Sequence, residues 1–282
     1  MTTGSVDSVK ELRERTGAGI MDCKAALQAT GGDLEKAIDF LRKKGMAQAA
    51  KRAGREAKEG LIVGRVQGSK AALVEVNCET DFVARTDDFK ALASMALEDV
   101  LSQGEAALSS AKINDRLAEL SGKIGEKMLV KRGKALQSAD GSFFCYIHAT
   151  NKLGVLVELS AGKAETKKNN LFEELGKNLA MQVAASNPIC LKRDQVPAAT
   201  LEREKAIYRE EVKGKPENIV EKIILGKLDK FYQSQCLMEQ PFVKDDKVSI
   251  EKLVTEAGKK IGDTIQVRQF VRFQLGETVP AS

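Results

Sequence analysis

The chain has 282 residues, of which 43% are apolar and 30% are charged, as is typical of a folded globular protein of about two domains. Its 45 basic and 40 acidic residues leave a net charge of only +5, and tryptophan is absent, so the composition argues against DNA and other nucleic-acid binding. No run reaches the roughly 20 apolar residues of a membrane span, and the N-terminus lacks the apolar stretch of a signal peptide, so we expect a cytoplasmic protein.

The first 45 residues predict a small module of three helices. Apolar residues recur at helical spacing up to Gly17, and Asp22 is positioned to cap a second helix. Asp33 is positioned to cap a third helix, which is predicted to end at Gly45. Three short helices form a marginal core, so we expect this unit to bind something. Residues 46–59, rich in Ala, Lys and Arg, predict a basic linker helix.

The middle of the chain contains an internal repeat. GLIVGRVQGSKAALVEV (60–76) and GSFFCYIHATNKLGVLVEL (141–159) each predict a hairpin of two strands, the second containing Leu-Val-Glu. In each copy a phenylalanine, Phe89 or Phe172, follows that glutamate at the same spacing and opens an amphipathic helix. The predicted fold class is therefore α+β, with two duplicated antiparallel-sheet-plus-helix subdomains.

Other elements lie between and after the two copies. An amphipathic helix is predicted from 113 to 128, and the alternating run from 264 to 275 predicts a strand. Helices at about 199–213 and 217–236, joined by Gly214-Lys215-Pro216, predict an antiparallel coiled-coil hairpin. The predicted apolar stripe of its second helix contains Ile219, Ile223, Leu228 and Phe231. The predicted division of the chain is 1–45, 46–59, 60–140 and 141–280, with the hairpin inserted at 197–236.

The sequence offers little for catalysis. His148 is the only histidine and falls within a predicted strand, and the five cysteines are far apart with no CxxC pair, which is typical of reduced thiols. One histidine and scattered cysteines do not make a zinc site. The segment Gly64–Lys70 reverses the Lys-Ser order of a phosphate loop and reads as a hairpin turn. We therefore predict no catalytic residue, metal site or cofactor, and no direct nucleotide binding.

Two segments place apolar residues among polar or glycine-rich ones, as a contact surface would. Ile20 and Met21 lie between glycines and a predicted cap, where they staple the next helix to the module, contact a partner, or do both. In NCETDFVAR, Asp81 either caps the next helix while Phe82 packs inward, or the turn presents Phe82 to a partner. Sequence alone leaves both alternatives open.

Several segments, in order along nearly the whole chain, closely resemble the elongation factor Ts family of bacteria. They are KELRERTGAGIMDCKAAL, GGDLEKAI, the NCETDFVAR run, KIGE with the helix expected after it, and QPFV. The resemblance implies a UBA-like N-terminal helical module and two similar core subdomains, with a helical hairpin in the second. It also implies guanine-nucleotide exchange on elongation factor Tu, the GTPase that delivers aminoacyl-tRNA, without chemical catalysis.

The resemblance also implies a set of contact residues. Phe82, beside Asp81, should insert between helices of the GTPase domain and displace the elements that order Mg²⁺ and the phosphate loop, until GTP expels the factor. At Ile20 some relatives have Met, and the β-branched isoleucine is the stiffer of the two side chains. The implied contact residues are Thr80, Asp81, Phe82 and Val83 in the exchange turn, Arg13, Ile20, Met21 and Lys24 in the N-terminal module, and Ile124, His148, Phe242 and Val243 in the core.

Two other functions fit the sequence features. A scaffold would bind through the helical module and the hairpin without changing nucleotide affinity, and an RNA-binding translation protein would use the basic linker. The apolar stripes of the hairpin leave open a homodimer or a 2:2 complex with the partner.

Overall fold

The computed structural model describes residues 5–214 and 216–278, and these residues form a mixed α+β fold with antiparallel sheets, as predicted. Lys215 of the predicted hairpin turn and the ends of the predicted division, 1–4 and 279–280, lie outside the described residues. The helices are α1 Val6–Thr16, α2 Ile20–Ala29, α3 Leu34–Arg52, α4 Asp81–Ala84, α5 Asp87–Gln103, α6 Ala111–Ile124, α7 Asn170–Ser186, α8 Ala198–Glu211, α9 Glu217–Gln235 and α10 Ile250–Ile261. The strands are β1 Glu59–Gln67, β2 Lys70–Cys78, β3 Met128–Gln137, β4 Gly141–Ile147, β5 Leu153–Ala161, β6 Pro241–Phe242, β7 Asp245–Ser249 and β8 Ile265–Gln274.

Helices α1 to α3 pack around a small apolar core. Gly17 takes a left-handed conformation and ends α1, and the Asp33 side chain caps α3 by accepting the Lys36 N–H, as predicted. The prediction that Asp22 caps α2 is wrong, because α2 already begins at Ile20; Asp22 lies in its first turn and accepts from Lys44 Nζ at 2.7 Å. The fully buried residues of this core are Leu12, Cys23, Ala26, Leu27 and Ala37.

Helix α3 does not end at Gly45, and residues 46–59 are not a separate linker helix. The helix continues to Arg52, and β1 begins at Glu59. Gly45 is buried where α3 crosses α6, and a Cβ atom on it would lie 3.3 Å from the carbonyl oxygen of Ala118. This glycine therefore permits a close helix crossing, which a sequence pattern does not distinguish from a helix stop.

The first sheet has the order β1-β2-β3, and α5 packs across one of its faces. The sequence predicted only the first two strands. The helix predicted to reach residue 128 ends at Ile124, because Gly125 turns the chain with a φ of 89°, and Met128 begins β3. The helix expected after KIGE is therefore a strand.

The second sheet, β4-β5-β8, repeats the first in detail. A register shift follows Glu75 where β2 pairs with β3, and another follows Glu158 where β5 pairs with β8. Both glutamates are buried and hydrogen-bonded to the third strand, Glu75 to Arg132 Nε and Glu158 to Gln269 Nε2, each at 2.6 Å. The predicted duplication therefore extends to a third strand and a bulge.

The two sheets pack face to face, with helices on their outer faces. Alternate residues of β2 face opposite ways: Val74 and Val76 contact the core under α5, whereas Leu73 contacts the second sheet. Strand β5 does the same, with Val157 under α7 and Leu156 between the sheets. The core between the sheets contains Ile62, Ala71, Leu73, Phe143, Leu156 and Phe273.

Helices α8 and α9 form the predicted helical hairpin with a small apolar core of their own. The predicted stripe of α9 is shifted by one residue at its start: Ile219 is exposed, and Val220 is buried instead. At the base of the hairpin, the Sγ atoms of Cys190 and Cys236 lie 3.7 Å apart. The buried residues of the hairpin are Val212, Val220, Ile224 and Leu228.

Candidate functional site

Phe82 is an exposed aromatic residue at the end of a buried strand. Strand β2 ends at Cys78, and after two residues the chain forms the single-turn helix α4. The Phe82 side chain is 79% exposed, whereas Val83 and Ala84 are buried in the core under α5. The alternative in which Phe82 packs inward is therefore wrong. We call residues 79–85 the Phe82 turn.

Thr80, and not Asp81, caps α4. Its Oγ1 accepts the Val83 N–H, while Asp81 lies in the first turn and accepts from Arg85 Nη2 at 2.7 Å. An exposed ion pair of this kind stabilises little, typically below about 1 kcal/mol. The conformation of the Phe82 turn is therefore fixed mainly by Thr80 and by the buried residues behind it.

Val83, unlike Phe82, is buried in the free protein, and its contact with a partner stays a prediction. Only 7% of it is exposed, and it packs with the residues under α5. Successive residues of a helix point about 100° apart, so a single turn that exposes Phe82 directs its neighbour inward. Val83 therefore anchors the turn.

A pair of glutamates connects the Phe82 turn to the segment between α6 and β3. Glu126 accepts the Thr80 N–H at 3.0 Å and the Thr80 hydroxyl at 2.7 Å, and Glu79 accepts the Lys127 N–H at 2.6 Å. The Lys127 N–H and the Arg55 side chain hold the pKa of the Glu79 carboxyl below its usual range. Glu126 thus bonds the residue after Glu79, and Glu79 bonds the residue after Glu126.

The N-terminal module presents its predicted contact residues to solvent. Ile20 is 54% and Met21 is 76% exposed, so neither packs into the module core as a staple, and Arg13 and Lys24 are exposed as well. Ala18, in the preceding loop, packs against that core instead. The module therefore carries an exposed group of two apolar and two basic side chains.

The loop before Ile20 and the Phe82 turn meet at the same part of α6. A Cβ atom on Gly17 would lie 2.8 Å from Cε of Lys123, and Glu126 bonds Thr80. Residues 123 and 126 are separated by at most roughly 11 Å of chain. The two exposed apolar segments thus lie beside one short stretch of chain, formed by the C-terminal end of α6 and the two residues that follow it.

The core residues of the predicted site divide into exposed and buried ones. Ile124 is half-buried against the first core. His148 is exposed, and it follows β4 instead of lying within a strand; its Nδ1 lies 2.9 Å from Oγ1 of Thr150. Val243, in the turn after β6, is 49% exposed, whereas Phe242, the last residue of β6, is 7% exposed and belongs to the core under α7. Phe242 is therefore a core residue of the free protein, and its contact with a partner stays a prediction.

Sequence reasoning missed Glu126, Glu79 and Lys123 as parts of this site. The signal that could have found Glu126 is a second repeat: KIGE (123–126) before β3 is matched by KIGD (260–263) before β8.

The thiols are protected from reaction. All five cysteines are free, and burial, with smaller effects of Glu126 and Glu59, raises the pKa of Cys78 to about 12. Burial raises the pKa of Cys145 to about 11. Because the thiolate is the nucleophilic form, these groups are poor nucleophiles at neutral pH.

In the part of the chain that the structure describes, no three His, Cys, Asp or Glu residues converge as a metal site would require. None of the helices within residues 5–214 and 216–278 has the length and apolar character needed to cross a bilayer.

Comparison with known proteins gives one family. The model of the family described as Elongation factor TS matches residues 79–277, which include the whole Phe82 turn, α6 and the second sheet. Elongation factor Ts of Prosthecochloris aestuarii is 45% identical over 98% of this chain and 100% of its own length. Elongation factor Ts of Nitratidesulfovibrio vulgaris is 45% identical over 97% of this chain and 96% of its own, and that of Clostridium kluyveri is 43% identical over 96% and 92%. The chain therefore belongs to the elongation factor Ts family of translation elongation factors.

Proposed function

We propose that this chain is a guanine-nucleotide exchange factor for elongation factor Tu and that it acts by contact, without making or breaking bonds. The observation that carries the proposal is the Phe82 side chain, which is 79% exposed on a turn that is capped, bonded to Glu126 and anchored in the core. Exposing a large aromatic side chain on a rigid turn has no benefit for folding, so it is best explained by a partner that buries it.

The mechanism follows from how GTPases hold GDP. Phosphate-loop amides, a lysine and Mg²⁺ bind the nucleotide phosphates. Phe82 inserts between helices of the GTPase domain and displaces the elements that order the Mg²⁺ and the phosphate loop. Accelerating GDP release by a few thousandfold requires lowering the barrier by roughly 4–5 kcal/mol. A buried phenylalanine contributes roughly 1.5–3 kcal/mol, and the remainder comes from contacts that fit the nucleotide-free partner best.

The remaining exposed residues supply those contacts. Ile20 and Met21 bury apolar surface on the GTPase domain, and Arg13 and Lys24 add charged contacts at the edge of the same patch. Because the adjoining loop contacts α6 near Glu126, these residues and Phe82 act on one domain of the partner. Ile124, His148 and Val243 extend the contact surface along the core.

Thermodynamic linkage then gives the direction of the cycle. If the factor binds the nucleotide-free partner more tightly than the loaded one, nucleotide must weaken the binding of the factor by the same ratio. GTP, once bound, therefore expels the factor.

The test is the release of a fluorescent GDP analogue from purified elongation factor Tu at saturating factor. Exchange predicts a large acceleration, and calorimetry should show tighter binding to the nucleotide-free partner. Release at the intrinsic rate with a bound complex would instead indicate a scaffold. Salt-sensitive retention on ribosomal RNA without accelerated release would indicate the RNA-binding alternative. Mass measurement of the complex gives its stoichiometry, 1:1 or 2:2.

A further inference from the structure

Both carboxylate oxygens of Glu126 accept hydrogen bonds from Thr80, the residue that caps the helix of the Phe82 turn. One carboxylate oxygen, Oε2, accepts the Thr80 N–H at 3.0 Å, and the other, Oε1, accepts the Thr80 hydroxyl at 2.7 Å. The same hydroxyl oxygen accepts the Val83 N–H and so caps α4. Glu126 therefore fixes both the backbone and the side chain of Thr80.

The Phe82 turn depends on this contact more than a longer helix would. Helix α4 has four residues, and one turn of helix is too short to be stable by itself. Its direction is set at one end by Thr80 and at the other by the buried residues Val83 and Ala84. Phe82 lies between these two anchors.

The second repeat contains a similar contact without an aromatic residue, but there the hydroxyl comes from Thr166 and not from the residue at the Thr80 position. Asp263 lies two residues before β8, as Glu126 does before β3, and each follows a glycine with a positive φ. Asp263 Oδ2 accepts the Lys163 N–H at 2.9 Å and the Thr166 hydroxyl at 2.6 Å. Lys163 occupies the position of Thr80, and Glu165 occupies that of Phe82. The carboxylate contact is thus a feature of the scaffold, and the residue on the turn is what differs.

We infer that Glu126 is a positioning residue for nucleotide exchange, which holds the Thr80 end of the turn so that Phe82 enters the partner at a fixed angle. The inference rests on the exchange function proposed above. Glu126 acts through Thr80 and Phe82, and removing it leaves the phenylalanine present but less ordered. Small displacements of a positioned group cost large factors in rate, and we expect about a tenfold loss in the maximal rate of GDP release.

The experiment is a double-mutant cycle on GDP release from elongation factor Tu, measured at saturating factor with Glu126→Ala, Phe82→Ala and the double variant. If Glu126 acts through Phe82, Glu126→Ala slows release about tenfold in the wild-type background and less than about twofold in the Phe82→Ala background. Equal losses in both backgrounds would overturn the inference, because Glu126 would then act elsewhere. A wild-type rate for Glu126→Ala would overturn it directly.

The chain offers a matched control. Asp263→Ala removes the corresponding contact of the second repeat and should leave the maximal release rate within about twofold of wild type. Glu126→Gln, which keeps the shape and one acceptor oxygen, should recover part of the lost rate and serves if Glu126→Ala does not fold. Failure of Glu126→Gln to exceed Glu126→Ala, with both folded, would count against positioning by hydrogen bonds.

A measurement on the free protein separates this inference from the proposed function. Amide hydrogen exchange of residues 79–85 should be several-fold faster in Glu126→Ala, because the Thr80 N–H loses its acceptor, and unchanged in Asp263→Ala. Unchanged protection in Glu126→Ala overturns the inference alone. A wild-type protein that does not accelerate GDP release, or a Phe82→Ala variant with normal release, would overturn the proposed function and the positioning role with it.

Discussion

The two repeats share one scaffold and differ in what they present on it. Glu75, Thr80 and Phe89 of the first correspond at a constant offset to Glu158, Lys163 and Phe172 of the second. Both glutamates lie at a bulge, both phenylalanines are fully buried, and both strand-end turns are bonded to a carboxylate before the third strand. At the tip of the turn, the first repeat has an exposed phenylalanine and the second has a glutamate.

The repeats also differ in what is attached to the helix before the third strand. In the first repeat, α3 of the N-terminal module crosses α6 at Gly45 and Gly122. In the second repeat, the residue of α10 that corresponds to Gly122 is the exposed Lys259. Buried positions and backbone contacts are therefore shared because they build the sheet, whereas exposed positions differ because each repeat meets different neighbours.

The largest expected effect tests whether the two cores are equivalent. Phe89→Ala and Phe172→Ala each remove a fully buried ring, so each should lower the free energy of unfolding by about 3–5 kcal/mol. Urea unfolding followed by circular dichroism measures both. If one variant lost less than about 1 kcal/mol of unfolding free energy, its repeat would relax around the cavity. The two repeats would then share a backbone but not an equally packed core.

The next effect tests the difference at the tips of the turns. Phe82→Ala should slow GDP release from elongation factor Tu by one to two orders of magnitude, as expected for a central interface anchor. Because Phe82 is exposed, the midpoint of thermal unfolding should hardly change. Glu165→Ala, at the corresponding position, should leave release unchanged. Unfolding of Phe82→Ala would instead place this residue in the core.

A smaller effect tests the attachment of the N-terminal module. A Cβ atom on Gly122 would lie 3.2 Å from Cα of Gly45, so Gly122→Lys, which copies Lys259 of the second repeat, should separate α3 from α6 at a cost of roughly 1–3 kcal/mol. Limited proteolysis should then cut the segment between Arg52 and Glu59 faster. Lys259→Gly is the matched control, and equal cleavage of Gly122→Lys and wild type would contradict the prediction.

The smallest effect concerns the carboxylate of the second repeat. The Thr166 hydroxyl, together with nearby backbone N–H groups, holds the pKa of Asp263 below its ordinary value of 3.8. A depressed folded-state pKa adds stability above pH 3.8, and this stability is lost as the pH falls through the folded-state value. Asp263→Asn should therefore be less stable than wild type at pH 6, and the difference should shrink below pH 3.8. Urea midpoints measured between pH 6 and pH 3 test this, and a constant difference would contradict it.

Most of the fold could be predicted from the sequence because the strands alternate and the repeat is visible. The errors occurred where one residue type has two physical uses. Gly45 looks like a helix stop but permits a helix crossing. The apolar pattern of α6 continues to Met128, although the helix ends at the left-handed Gly125 and Met128 belongs to β3. Periodicity could not decide whether Phe82 faces inward, since a four-residue helix is too short to show a repeating pattern of apolar residues. The contact between Glu126 and Thr80 joins two distant segments, and such contacts appear only once the chain is folded.

The apolar layer between the two sheets has a consequence for how the molecule unfolds. Ile62 and Leu73 from one repeat pack against Phe143 and Leu156 from the other. If either repeat unfolded alone, it would expose the apolar surface of the other to water. We expect the paired repeats to denature in a single cooperative transition. The α8–α9 hairpin, whose small core is separate, is free to open earlier as a local unit.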